Sequence, residues 1–466
     1  MLKKLGVGRS EIQKVVTLVR VVGKLSQLRS QARWGRAEID QHQLENLASL
    51  RAFAYANSPF YQEFHQGYQG APLSELPVLT KRIMMDNFDR LVTDRRISLE
   101  EARRYLANGA KDRFQGRYEL AATSGSTGNP GIFLYNPHEW VTVMASFARA
   151  RDWAGQSLNL TRRSKMAIVS STNDKNLSAR VGKAADTWFI PTLRLDATRS
   201  MEYLVGELNR WNPEVLVAYA SMAYFLTLEQ LRGNLHIQPD KVFTSSEVTT
   251  TGMRRITEKA WGKVVFDEYA TTETAIIAAE CIQHEGLHLF EDLLIFEDLL
   301  IIENVDEANR PVPPGVFGDK LLVTALFNRT QPLIRYEISD RIKISEKGSS
   351  CNLAYRIIEE IEGREEDILV MPGTSQRQVQ LHPNVFHDLM DILPNRGWQV
   401  SQEKDGKLRI LLVEGDPPVS DQTVRDKLTN TLADLGVVVA GITVEKVMAI
   451  PKAKSGKSPL IKAYQE

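Results

Sequence analysis

The sequence has little cysteine, no net charge and no long apolar run. Its two cysteines, Cys281 and Cys351, cannot build a disulfide framework, so a reducing compartment, the cytoplasm, is the expected location. Basic and acidic residues balance at 58 each, so no global field draws the chain to nucleic acid or to an anionic membrane. No apolar run approaches a membrane span, so no transmembrane segment is expected. The N-terminal stretch "MLKKLGVGRSEIQKVV" is basic but lacks the long apolar segment of a signal peptide. The spacing from Ile12 to Leu28 predicts an amphipathic helix that packs on the body, in preference to a membrane or a partner.

What is present suits a globular protein with more than one core: 466 residues, of which 43% are hydrophobic. Residues 10–110 read as mostly helical, broken at "NSPFYQEF" and "APLSELPVLTK". An alternation follows. Strands are expected at 165–171, 188–195, 214–220, 240–246 and 263–270, with helical spacing at 200–213, in "MAYFLTLEQLRG" and in "TGMRRITEKAWG". Strands alternating with helices predict a parallel sheet covered by helices, with ligands at the carboxyl ends of its strands. The segment 286–345 is strand-rich and predicts an antiparallel or barrel-like subdomain. Within it "FEDLLIFEDLLI" (290–301) is a tandem hexad, to which no function is attached. After the charged run "EGREED" (362–367) comes a short β/α pattern: a hairpin, a helix capped by Ser420 or Asp421 and ended by Gly436, then a strand. The expected fold class is therefore α/β. A large N-terminal domain (1–362) has parallel sheets covered by helices plus a β-rich subdomain. A small, mobile α+β C-terminal domain (363–466) follows it.

One stretch cannot build a core. "TSGSTGNPG" (123–131) holds almost no apolar side chain but offers hydroxyls and glycines. Backbone N–H groups and hydroxyls of this kind converge on phosphate; a mobile polar turn is the plainer alternative. The familiar nucleotide loop needs Gly, four residues, then Gly-Lys-Ser/Thr. Neither this stretch nor "GKS" at 456–458 satisfies that pattern.

Six motifs in order resemble those of the adenylate-forming superfamily, the acyl-CoA synthetases and their relatives. "TSGSTGNPG" resembles the phosphate loop and "TSSEVTT" (244–250) the segment lining the adenine pocket. "DEYATTE" (267–273) is similar to the aromatic-x-x-Thr-Glu motif. "RYEISDRIKI" (335–344) resembles the strand whose Asp holds the ribose, and "EGREEDIL" (362–369) the Gly-Arg hinge. "PKAKSGKSPLIK" (451–462) resembles the loop with the catalytic Lys. "SPFYQEF", "GLHLFED" (286–292) and "PLIRYEISD" (332–340) resemble the phenylacetate–CoA ligase-like branch, and enzymes likened to those that transfer AMP to a deazaflavin phenol stand close by.

The resemblance implies an ATP-dependent, adenylate-forming acid–thiol ligase. It would activate a carboxylic acid, aryl or related, as acyl-AMP with pyrophosphate release, then pass the acyl group to a thiol, coenzyme A first among candidates. Thr123, Ser124, Gly125, Ser126, Thr127 and Gly128 would cradle the leaving phosphates. Ser246 and Glu247 would line the adenine site and Tyr269 would stack on adenine. Thr272 would bond the α-phosphate, and Glu273 would hold Mg²⁺, a hard ion. Asp340 would accept from both ribose hydroxyls, unless it is simply the ion-pair partner of Arg341. Arg364 would reach ribose or phosphate, with Glu366 at the hinge. Lys457 would bridge carboxylate and α-phosphate. Three departures stand out: Ala270 replaces a usual Gly, Asn129 a frequent Lys, and "ISD" the usual Thr-Gly-Asp. The region 170–182 is polar where many relatives have a glycine-rich acyl loop, which argues against phenylacetate itself. Cys281, His288 and Cys351 match a zinc site of some relatives, with Ser349 in place of one Cys and His284 as a candidate fourth ligand; two ordinary buried thiols are the alternative. AMP transfer to a phenol or hydroxyl acceptor, and a noncatalytic nucleotide-binding scaffold, are the rival functions. A homodimer is left open.

Overall fold

The computed structural model describes residues 9–31, 35–123, 130–157, 162–289, 299–347, 350–351, 355–364, 369–374, 378–381, 383–390, 393–452 and 460–464. The chain divides into two compact units. One comprises Met1–Met166, Thr172–Thr192 and Phe266–Glu360; the other comprises Ala167–Ser171, Leu193–Val265 and Ile361–Glu466.

The first unit opens on the helix Arg9–Gln31. Its Val21, Leu25 and Leu28 are buried against Val141 and Ala145 of the helix Pro137–Trp153. Each such side chain contributes about 1.5–3 kcal/mol. Arg29 adds a paired contact to Asp152, at 2.7 and 2.8 Å. The expected packing of this helix on the body is what the structure has. The break read at "NSPFYQEF" is narrower than expected. Helix Arg36–Asn57 stops at Ser58, which caps a new helix, Pro59–Phe64. Proline at the first helical position is compatible with a start but not with continuation.

Two polar devices tie the first unit's hairpin and the segment 328–331 together. The strands Glu119–Ala122 and Ile132–Tyr135 pair antiparallel, with Ala122 opposite Ile132. The "TSGSTGNPG" stretch is thus the connection of a hairpin. The segment 328–331 clamps that hairpin's second strand. Asn328 donates to Leu134 O, Gln331 donates to Ile132 O, and Leu134 N donates to Gln331 Oε1. Buried Glu139 accepts from the N–H groups of Asn136, Arg329 and Thr330. Burial raises its pKa while those donors oppose the shift.

Further strands of this unit lie in the order Asp340–Ile344, Ile357–Arg364, Leu287–Leu289, Ala275–Glu280, Val265–Thr271. A separate antiparallel sheet joins Leu300–Val305, Lys320–Ala325 and Tyr336–Ile338. Segment 286–345 is therefore strand-rich, as expected, but its strands are shared between two sheets. Most of the tandem hexad lies outside the described residues; its last two residues begin the strand Leu300–Val305.

In the second unit Lys241–Ser245, Val215–Tyr219, Met166–Ser170 and Thr192–Asp196 are neighbours in that order. Val215–Tyr219 and Lys241–Ser245 run parallel. Ala167, Val169, Leu216, Ala218 and Val242 bury their side chains with Leu204, Leu208, Met222 and Leu226 of the covering helices. The strand expected at 188–195 begins only at Thr192, and Trp188 is exposed. Pro191, which has no N–H to give a ladder, immediately precedes it. The C-terminal part forms a four-stranded sheet in the order Gly441–Lys446, Lys407–Glu414, Asn395–Gln402, Ile461–Lys462. Helix Asp421–Asp434 is capped by Ser420, and Gly436 has φ +76°, as the sequence predicted for a start and stop. The fold is α/β.

Candidate active site

The hairpin loop is closed at its neck by Thr123. Its N–H donates to Gly131 O at 3.0 Å, and its Oγ1 accepts from Gly131 N at 2.9 Å. A Cβ at Gly131 would lie 2.9 Å from the Phe133 ring, so the close return of the chain needs glycine there. Ser124, Gly125, Ser126, Thr127, Gly128 and Asn129 lie outside the described residues.

The strand Val265–Thr271 and its partner Ala275–Glu280 carry the Thr-Glu motif on their turn, with Thr271 opposite Ala275. Ala275 has φ +67°, an unusual conformation for a residue with a side chain. Tyr135 holds this turn: its hydroxyl bonds Thr272 O at 2.7 Å and Glu273 O at 3.0 Å. Burial keeps the Tyr135 phenol well above its ordinary pKa, so it stays a donor. Thr271 and Thr274 hydroxyls are 3.0 Å apart beneath the turn. Thr272 and Glu273 are half-buried. Tyr135 was missed in the sequence; only its place at the end of the apolar run "IFLY", after the loop, hinted at it.

At the other end of the motif the Tyr269 hydroxyl donates to Asp340 Oδ2 at 2.7 Å. The structure thus brings together an aromatic ring and a carboxylate that the sequence places 71 residues apart. Arg341 lies 3.8 Å from Asp319 and donates to Gly318 O at 3.3 Å. Glu268 is buried and is pushed up to about 7 by desolvation, with Arg151 opposing and Asp267 reinforcing the shift.

In the second unit Ser246 has φ +67°. Glu247 beside it accepts from Ser221 N at 2.9 Å, at the start of helix Ala220–Leu231. Arg364 ends the strand Ile357–Arg364, and its side chain lies outside the described residues. Glu366 and Lys457 lie outside them too.

Cys281, His288 and Cys351 converge in the first unit, their ligand atoms within 4.8 Å of one another. His288 Nε2 is 3.2 Å from Cys281 Sγ and 3.3 Å from Cys351 Sγ. One ring nitrogen aimed at two sulfurs is a soft donor set that suits zinc. Burial raises the Cys281 thiol to about 11 and lowers His288 to about 4. His284 does not join this cluster. Its ring lies against Phe266, with centroids 4.6 Å apart, and its Nδ1 is 3.6 Å from Glu280. Ser349 lies outside the described residues.

No family model matches the chain. Among curated proteins, Protein CapK of Staphylococcus aureus is 25% identical over 326 residues, 66% of this chain. That match spans 63% of the length of CapK. Phenylacetate-coenzyme A ligase of Pseudomonas putida is 24% identical over 369 residues, 74% of this chain and 75% of that one. Among solved structures, 2-hydroxyisobutyryl-CoA ligase in the postadenylation state with 2-HIB-AMP aligns at TM-score 0.71 and 17% identity. The alignment covers 93% of this chain and 91% of that one. The same ligase with R3-HIB-AMP aligns at 0.70. The chain has the fold of the adenylate-forming CoA ligases. Its sequence is similar to the phenylacetate–CoA ligase-like branch, in line with the six motifs. Among the described residues no helix is long and apolar enough to cross a membrane.

Proposed function

We propose that this protein is an adenylate-forming ligase that activates a carboxylic acid with ATP and passes the acyl group to a thiol, coenzyme A first among them. The observation that carries this reading is the Tyr269–Asp340 contact on the strand whose turn presents Thr272 and Glu273. The fold likeness and the CoA-ligase relatives support it.

The chemistry follows from charge. ATP and a carboxylate repel each other, so the phosphates must be neutralised before attack at the α-phosphorus. The loop whose neck Thr123 closes would bind the β- and γ-phosphates, which leave as pyrophosphate. Thr272 would donate to the α-phosphate. Asp340, whose Oδ2 accepts from the Tyr269 hydroxyl, would accept from the ribose hydroxyls. Tyr269, whose hydroxyl is held by Asp340, would stack on adenine. Glu273 is a hard carboxylate on a turn whose main chain Tyr135 fixes, which fits Mg²⁺. When bound, the ion would neutralise phosphate charge. In the second step a thiol would attack the acyl carbonyl and AMP would leave. Residues 363–466, carrying Arg364, Glu366 and Lys457, would act as the lid.

Glu273→Gln keeps the side chain's shape and removes its charge. Acid-dependent pyrophosphate exchange at limiting Mg²⁺ is expected to fall by about tenfold or more. Exchange at the parent rate would defeat the metal assignment. AMP found attached to a phenol or hydroxyl acceptor, instead of released, would favour the rival transferase reading.

Cys281, His288 and Cys351 would hold a structural zinc ion. Protein never exposed to chelator is expected to carry close to one zinc per chain by elemental analysis, and Cys281→Ser to lose it. Zinc-free protein would contradict the site.

A further inference from the structure

The helix Arg9–Gln31 carries two apolar rows, and the body covers one of them. Val21, Leu25 and Leu28 repeat at i, i+4 and i+7 and are buried with Val141 and Ala145 of the helix Pro137–Trp153. Ile12, Val15, Val16 and Val19 repeat at i, i+3, i+4 and i+7, the spacing of a second row. At about 100° per residue, the centre of this row lies roughly 160° round the axis from the first. Val15, Val16 and Val19 are accordingly 40, 45 and 60% exposed. One exposed valine is ordinary, but three within five positions of one helix make a patch that calls for a partner.

The chain's balanced total hides a local excess of charge beside this patch. Residues 1–36 hold nine Lys or Arg and one acid, Glu11, a net charge of +8 that leaves −8 on the rest of the chain. Arg29 is paired with Asp152 of the body. Arg20 is exposed and follows Val19, at the edge of the valine row. The field is therefore local to the segment that carries the uncovered valines.

The two features together select the partner. A second copy of the chain, in an isologous contact, would set +8 against +8. Nucleic acid would meet the cations through its phosphates, but aliphatic side chains would gain nothing there. An anionic bilayer answers both, with methyl groups in the acyl boundary and cations among the headgroups.

We propose that the Ile12–Val19 face of the helix Arg9–Gln31 docks on an anionic lipid surface, while the Val21–Leu28 row stays on the body. The sequence posed body and membrane as alternatives for this helix; two rows let it serve both. The helix would lie along the surface, since no helix among the described residues is long and apolar enough to cross a membrane. The proposal is independent of the ligase reading, and either can fail alone.

The test is co-sedimentation of the full chain with vesicles. One set is phosphatidylcholine alone, and the other contains roughly one-third phosphatidylglycerol. Binding to the charged set is expected to exceed binding to the neutral set by about tenfold at about 0.1 M salt, and to fall by about tenfold at about 0.5 M. Val16→Asp with Val19→Asp should weaken binding to charged vesicles by about tenfold or more, with circular dichroism and thermal melting near the parent. Val16→Leu with Val19→Leu adds one methylene at each position and should strengthen it by about threefold or more. This gain is a readout that misfolding could not mimic. No binding to charged vesicles, or equal binding to both sets, would overturn the proposal. So would binding that neither pair of substitutions alters, since the valines would then stay in water. A dimer that the Asp pair splits, without vesicle binding, would assign the face to a second copy. Retention on a single-stranded oligonucleotide, without vesicle binding, would assign the cations to nucleic acid.

Discussion

Lys457→Ala is expected to lose adenylation by on the order of 10²–10³, while keeping acyl transfer to the thiol near the parent rate. The reasoning is electrostatic. As the carboxylate attacks the α-phosphorus, negative charge builds on the oxygens between acid and phosphate. A lysine bridging both stabilises that charge more than it stabilises the ground state. In the second half-reaction a thiol must reach the acyl carbonyl from outside. A lid that still held Lys457 there would stand in its way. On the proposed mechanism the residue would be needed for one step and absent from the other. Single-turnover measurement of each half-reaction, with a competent acid, checks this. Equal loss in both steps, with the fold intact, would contradict an alternating lid.

Glu303→Ala is expected to destabilise the first unit by about 3–5 kcal/mol, because it strands a buried cation. Arg335 is almost fully buried. It donates from Nε and Nη2 to the two carboxylate oxygens of Glu303, both at 3.0 Å, and from Nη1 to Leu76 O at 2.6 Å. Arg335 also has φ +50°, so its backbone is held in a conformation it would not choose alone. Burial raises the Glu303 pKa and the guanidinium opposes it. Desolvation thus takes back much of what the pair contributes, and the larger cost lies in removing one partner. The double change Glu303→Met with Arg335→Met should recover much of the loss, since it leaves no buried charge. Chemical denaturation of the three variants tests this. A loss below about 1 kcal/mol for the single variant would mean that water reaches Arg335. The consequence extends to the site, because Arg335 leads directly into the strands that carry Asp340.

Much of this architecture was legible because the signals are local. Val215–Tyr219 is a short apolar run, and a buried parallel strand reads that way. Helix Met201–Trp211 shows its cap, Ser200, and ends at Asn212, which takes the left-handed conformation. The "TSGSTGNPG" stretch stands out because it has so little to bury. What escaped the sequence depends on distance. Tyr135 supports the Thr-Glu turn across 137 residues, and Gln331 binds Ile132 O across 199. Nothing beside either residue announces its partner. The delayed strand at Thr192 shows the same limit at short range, where the apolar run "WFI" outweighed Pro191 in the sequence reading.

The most direct test of the account is acid-dependent exchange of labelled pyrophosphate into ATP, screened across aryl, hydroxy and alkyl carboxylic acids. If the protein forms acyl-adenylates, at least one acid should raise exchange well above the acid-free rate. Adding coenzyme A with that acid should then yield thioester and free AMP. No response to any acid, or labelled adenylate retained on a phenol or hydroxyl product, would contradict it.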